Sequence, residues 1–186
     1  GFKHYFFGKS DLYNHPRNIA NVIGQRNFSI HYAKQIHGNK IIKASRTSLE
    51  NTEDADGVIS DNSKQTLWIC TADCIPLLFA DKASGLVAAT HAGWKGLAKN
   101  ILHETIKAFI SSGSKVENII VALGPAISLA KYEVGSEVIR EIFNSTRNHN
   151  YRNNLNIDIF IDSLIQKDIL DYDPNEKKYR LELRLL

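Results

Sequence analysis

Leu67-Trp68-Ile69-Cys70, Ile75-Pro76-Leu77-Leu78-Phe79 and Leu86-Val87-Ala88-Ala89-Thr90 are three apolar runs of strand length. Asp81-Lys82-Ala83-Ser84-Gly85 between the second and third is a turn by composition, so the stretch reads as strands joined by short connections. A helix is predicted from Gly96 to about Ser111, because Ala98, Ile101, Leu102, Thr105, Ile106 and Phe109 recur at spacings of three and four. Gly113 stops that helix, and Ile119 to Leu123 supplies another buried strand.

The upstream chain predicts short strands at Lys3 to Phe7, at Ala33 to Ile36 and from Ile41. Residues 44–56 form a polar loop, and Val58-Ile59-Ser60 a short apolar edge. Downstream, Gly135 to Phe143 reads as a helix with Val138, Ile139 and Ile142 on one side. An exposed loop over 144–156, a helix from Asp162 to Leu170 and a strand from Lys178 to Leu186 complete the reading. Strands and helices in this order predict an α+β fold, a mixed α/β sandwich forming a single domain over residues 1–186.

Composition excludes several classes. A hydrophobic share of 43% and a charged share of 23% are ordinary globular usage and supply a core without staples. The net charge of +3 comes from scattered Lys and Arg, with no basic run of the kind that marks a nucleic-acid partner. No apolar run is long enough for a membrane span, and no signal-peptide pattern is present. Cys70 and Cys74 lie too close to build a disulfide framework, which predicts a reducing, cytoplasmic setting. Met is absent, so no thioether can ligate a metal.

Three segments concentrate unusual residues: Gln35-Ile36-His37-Gly38, Thr71-Ala72-Asp73-Cys74-Ile75-Pro76 and His91-Ala92-Gly93-Trp94-Lys95-Gly96. Each places a soft or borderline metal ligand at a strand end. His37, Cys74 and His91 would leave a fourth position open on a tetrahedral zinc. Their separations are too wide for a local zinc-finger signature, and a buried thiol with two surface histidines fits the spacing as well. Gly93-Trp94-Lys95-Gly96 precedes the predicted helix and could seat an anion, or be a loose turn with a solvated lysine. Trp94 could stack a base or cap the core. Asp73 could carry a proton or serve only a turn. Cys70 is expected in the core, His103 on the solvated side of the helix, and His4, His15, His31 and His149 outside any site.

These motifs occur in order with Asp54-Ala55-Asp56-Gly57-Val58, Gly124-Pro125-Ala126-Ile127 and Tyr132-Glu133-Val134-Gly135. Over about residues 33–140 the series resembles the family once labelled multicopper polyphenol oxidase, laccase-like, whose members are regarded as zinc-dependent purine nucleoside phosphorylases with adenosine deaminase activity. The resemblance implies metal ligands at His37, Cys74 and His91 and a fold similar to the catalytic domain of cytotoxic necrotizing factor. It implies phosphorolysis of adenosine, inosine, guanosine and methylthioadenosine, plus hydrolytic deamination of adenosine. With that family in view, Asp73, Cys74 and His91 are the expected catalytic residues, and Gln35, Gly93, Trp94 and Lys95 the expected contacts to nucleoside and phosphate. The chain departs from the family in having Lys95 for Arg and Ala126 for Cys, and in lacking the C-terminal Cys-Thr pattern. Both ends are expected to be short of the family's length.

Three alternatives remain in the residues. Two His and one Cys are also the ligands of blue copper, usually with an axial Met. The chain has no Met and no His-x-His pair for a trinuclear copper cluster, so zinc is favoured over a laccase-like copper oxidase. A metal-free Cys74–His91 nucleophile pair, as the toxin likeness suggests, would make the chain a hydrolase. A zinc-stabilised binding module would be no enzyme.

Overall fold

The structure is a computed structural model that describes residues 2–8, 15–128, 131–147, 170–173 and 178–181. Its framework is a five-stranded sheet of β2 (Ile41–Lys43), β3 (Gly57–Ile59), β5 (Ile75–Asp81), β6 (Val87–Ala92) and β7 (Ile119–Leu123). The order across the sheet is β2-β3-β6-β5-β7. β2 runs parallel to β3, and the other neighbours are antiparallel. Two smaller sheets flank it. β1 (Ser29–Tyr32) pairs in parallel with β4 (Gln65–Trp68), and β8 (Glu133–Val134), β10 (Lys178–Leu181) and β9 (Leu170–Asp173) form an antiparallel set.

The helices are α1 (Pro16–Val22), α2 (Trp94–Ala98), α3 (Ile101–Ser111) and α4 (Ser136–Arg147). Alternation along the strands decides what meets α3. Leu77 and Phe79 of β5 and Ala88 and Ala92 of β6 are buried with Ile101, Leu102, Ile106 and Phe109 of α3. The Phe79 and Phe109 rings lie 6.2 Å apart at a tilt. On the same face Thr90 and Thr105 join their hydroxyls at 3.2 Å, satisfying both in a dry core. His91 lies between Thr90 and Ala92 and therefore faces the other side of the sheet. That side carries a second cluster, Ala33, Ile42, Ala44, Ala55 and Val58, with Leu67 packed on it.

The mixed α/β architecture agrees with the sequence reading, with local corrections. Phe2–Gly8 forms no strand, since its aromatic side chains lie on the surface, Phe7 stacked on Trp68. The strand placed at Ala33–Ile36 lies instead at Ser29–Tyr32, and the one placed at Leu67–Cys70 begins at Gln65 and ends at Trp68. β3 is an interior strand rather than an edge, because the parallel β2 covers its outer side. The helix placed after Gly96 is two helices, broken where Asn100 adopts φ 62 and ψ 43. α4 continues to Arg147, into the stretch read as a loop. The helix placed at Asp162–Leu170 falls outside the described residues, save Leu170, which belongs to β9. Among the described residues no helix is long and apolar enough to cross a membrane.

Candidate metal centre

The site lies where β6 ends and β5 begins. Those two strands are antiparallel neighbours, so the last residues of one meet the first residues of the other, with Pro76 paired to His91. Cys74 stands just before β5. The loop from β1 to β2 brings His37 to the same place. His37, Cys74 and His91 each offer one ligand atom, and these atoms lie within 4.8 Å of one another. The two imidazole rings are nearly perpendicular, with centroids 4.8 Å apart. His91 is buried, Cys74 half-buried and His37 exposed, so the cluster opens outward on one side. Two imidazoles and a thiolate are the donor chemistry of zinc and of copper, and three such donors leave a position for a further ligand. The residues therefore fit a metal ion.

Glycine makes room for this cluster. A Cβ on Gly93 would stand 2.9 Å from Cys74 Sγ and 3.2 Å from His37 Cδ2. A Cβ on Gly96 would stand 2.8 Å from the Gly38 carbonyl oxygen. Both glycines are thus fixed by close packing against the ligand loops, not by backbone torsion.

A buried carboxylate sits behind the candidate ligands. Asp56 Oδ1 accepts the His37 amide at 2.9 Å and lies 2.8 Å from His91 Nδ1. Its Oδ2 accepts the amides of Gly38 at 2.6 Å and Ile36 at 3.3 Å. The Asp56 carbonyl also accepts the His91 amide at 2.7 Å. The Cys74 loop is clamped from behind, where the Gly124 amide donates to the Pro76 carbonyl and the Ile127 amide to the Asp73 carbonyl, both at 3.0 Å. Burial, then the charges of Asp73 and Asp56, push the Cys74 thiol above its ordinary value. Burial, then the charges of Cys74 and Asp73, likewise raise the Tyr132 hydroxyl.

The other expected site residues divide. Asp73 is exposed beside Cys74. Lys95 is exposed with its Nζ 5.5 Å from the centroid of the half-buried Trp94 ring, a cation–π placement. Gln35 spends its side-chain amide on the backbone of Cys70, donating to the carbonyl at 2.7 Å and accepting the amide at 2.8 Å. That pair ties the His37 loop to the approach of the Cys74 loop. Cys70 is exposed rather than in the core, because β4 ends before it. His103 is buried rather than solvated, since the covered arc of α3 is wider than its apolar stripe. His31 is a buried, satisfied residue, 2.6 Å from both the Thr47 carbonyl and the Ser29 hydroxyl. Sequence reasoning missed Asp56 as a member of the site. Its only signal was its place in one of the six ordered motifs.

Residues 10–169 match the family model described as multi-copper polyphenol oxidoreductase laccase. The chain is 35% identical over 150 residues to a purine nucleoside phosphorylase of Synechocystis sp., covering 77% of this chain and 56% of that protein. It is 39% identical over 112 residues to the purine nucleoside phosphorylase YfiH of Escherichia coli, covering 60% and 44%. The chain spans about half the length of the curated relatives it matches. Among solved structures it resembles Neisseria meningitidis protein NMB0706, with a TM-score of 0.66 and 30% identity over 94% of this chain and 65% of that one. YlmD of Geobacillus stearothermophilus superposes with a TM-score of 0.68 at 25% identity, covering 90% and 59%.

Proposed function

The chain belongs to the multi-copper polyphenol oxidoreductase laccase family, and from that membership we propose that it is a zinc-dependent purine nucleoside phosphorylase that also deaminates adenosine. The convergence of His37, Cys74 and His91 from three separate segments carries this reading. The names of the relatives from Synechocystis and Escherichia coli support the substrate class, nucleoside and phosphate. Zinc held by the three residues would supply positive charge and lower the pKa of a water molecule there.

The protein's own groups have the remaining work. In phosphorolysis a phosphate oxygen forms a bond to the ribose anomeric carbon, the glycosidic bond breaks, and the base leaves with a proton. Lys95 supplies positive charge for the phosphate beside the Gly93–Gly96 turn, as a point charge without the two-pronged geometry of Arg. Trp94 offers a ring face to the nucleoside. Gln35 holds its loop on the Cys70 backbone and so sets the wall of the site. In deamination water adds to the purine carbon bearing the amino group, and ammonia departs. Asp73, exposed beside Cys74, is the group placed to move the proton. The raised Cys74 thiol counts against an unaided Cys74–His91 nucleophile pair of the kind expected for a toxin-like hydrolase. A laccase-like copper centre finds no Met and no His-x-His pair.

Incubation with adenosine, with and without phosphate and chelator, tests the reading. Adenine should form only with phosphate, inosine without it, and chelator should stop both. Release of neither product from the zinc-loaded protein would overturn it. Cys74→Ala should lose stoichiometric zinc and both activities together. Phosphorolysis that survives loss of the zinc would sink the shared site.

A further inference from the structure

Asp56 touches the carriers of two of the three ligands from a fully buried position. We propose that it is a positioning residue for the metal centre, fixing His91 in the tautomer that ligates through Nε2 and holding the His37 loop in place. The inference rests on the metal reading above and deepens it.

The argument starts from the proton. A carboxylate oxygen only accepts, so the hydrogen in the 2.8 Å contact between Asp56 Oδ1 and His91 belongs to Nδ1. A neutral imidazole protonated there has its lone pair on Nε2, the remaining atom able to bind a metal. Both side chains are buried, at 4% and 0% exposure, so little water competes for the hydrogen bond between them. The same carboxylate organises His37. Ile36, His37 and Gly38 point three successive amides at it, a concavity that attracts an anion. Within it His37 holds φ at 58°, a conformation a non-glycine residue rarely adopts without support. From the far side Gly96, lacking a Cβ, lets α2 press on the Gly38 carbonyl. Asp56 thus sets one ligand's tautomer and the other's position with a single group.

An amide in its place cannot do both. In Asp56→Asn the new side chain would have to present its NH2 either to the Ile36 and Gly38 amides or to the His37 amide and His91 Nδ1. The first sets donor against donor at the loop. The second favours the His91 tautomer whose hydrogen is on Nε2.

The test is cobalt(II) and zinc titration of the full chain and of Asp56→Asn, read by the thiolate-to-cobalt absorption and by competition for zinc. The variant should bind about ten- to a hundredfold more weakly, with a shifted cobalt spectrum. Its circular dichroism should match that of the unmodified chain. Nitrogen-15 NMR of the unmodified, zinc-loaded chain reads the tautomer without any substitution, and should show a protonated Nδ1 on His91. Zinc affinity and a cobalt spectrum unchanged by Asp56→Asn, or a His91 Nδ1 without its proton, would overturn this inference and leave the metal reading standing. An unmodified chain that takes up neither metal would remove both.

Discussion

Gly93 and Gly96 show how much of the site depends on single atoms. Gly93→Ala sets a methyl 2.9 Å from Cys74 Sγ, inside any real carbon–sulfur contact. Zinc affinity measured by competition should fall severalfold or more while far-UV circular dichroism is unchanged. An affinity equal to that of the unmodified chain would mean that the thiol has room to retreat. Gly96→Ala meets backbone rather than a side chain, 2.8 Å away. Urea melts should show a loss of about 1–3 kcal/mol, the usual cost of overpacking. Cys74, His37 and His91 were legible as candidate ligands through the ordered motifs that resemble the family, since their spacing alone fits a buried thiol and two surface histidines as well. Asp56 was not, because surface acids are common. What distinguishes it is a carboxylate 1% exposed with four donors around it, and burial is not written at one position.

At the scale of elements, α3 and β5 have the most testable chemistry. Phe109 is fully buried against Phe79, so Phe109→Ala should cost about 3–5 kcal/mol in a denaturant melt. Asp81 ends β5 and closes its turn, accepting the amides of Ala83 at 2.8 Å and Ser84 at 3.3 Å and the Ser84 hydroxyl at 2.7 Å. The Ser114 and Ser84 hydroxyls, with those amides, hold its carboxyl down to about 2 from the ordinary 3.8. A carboxyl lowered on folding adds stability above its unfolded value, and that stability fades as pH falls through 3.8 toward about 2. Asp81→Asn should therefore lower the melting temperature at neutral pH and flatten its fall over that acid window. Equal pH slopes for both proteins would refute the assignment. The period of α3 was readable from Ile101 onward, but its break from α2 was not. Asn100 in the left-handed region follows from packing, and the apolar spacing runs across the break without interruption.

Across the whole molecule, the three candidate ligands come from the β1–β2 loop, the residue before β5 and the end of β6, so an ion held by them would tie separate parts of the chain together. Zinc at a hundred times its dissociation constant should stabilise the folded state by about 2.7 kcal/mol. Thermal melts should rise with zinc, fall with chelator, and lose both responses in Cys74→Ala. Melts indifferent to zinc would count against a centre formed by the fold. Strand and helix periods, the ordered motifs and the scarcity of soft ligands belong to the sequence alone. They are local or compositional, so the mixed α/β class could be read without coordinates, and the resemblance carried by the ordered motifs singled out His37, Cys74 and His91 as candidates. Which residues meet was decided by the tertiary structure. Sheet order set β3 beside β6, glycine-permitted contacts set two loops against the candidate ligands, and burial turned one ordinary aspartate into the carboxylate behind both histidines. Proximity between residues far apart in the chain comes from packing the whole core, and no window of sequence holds that information.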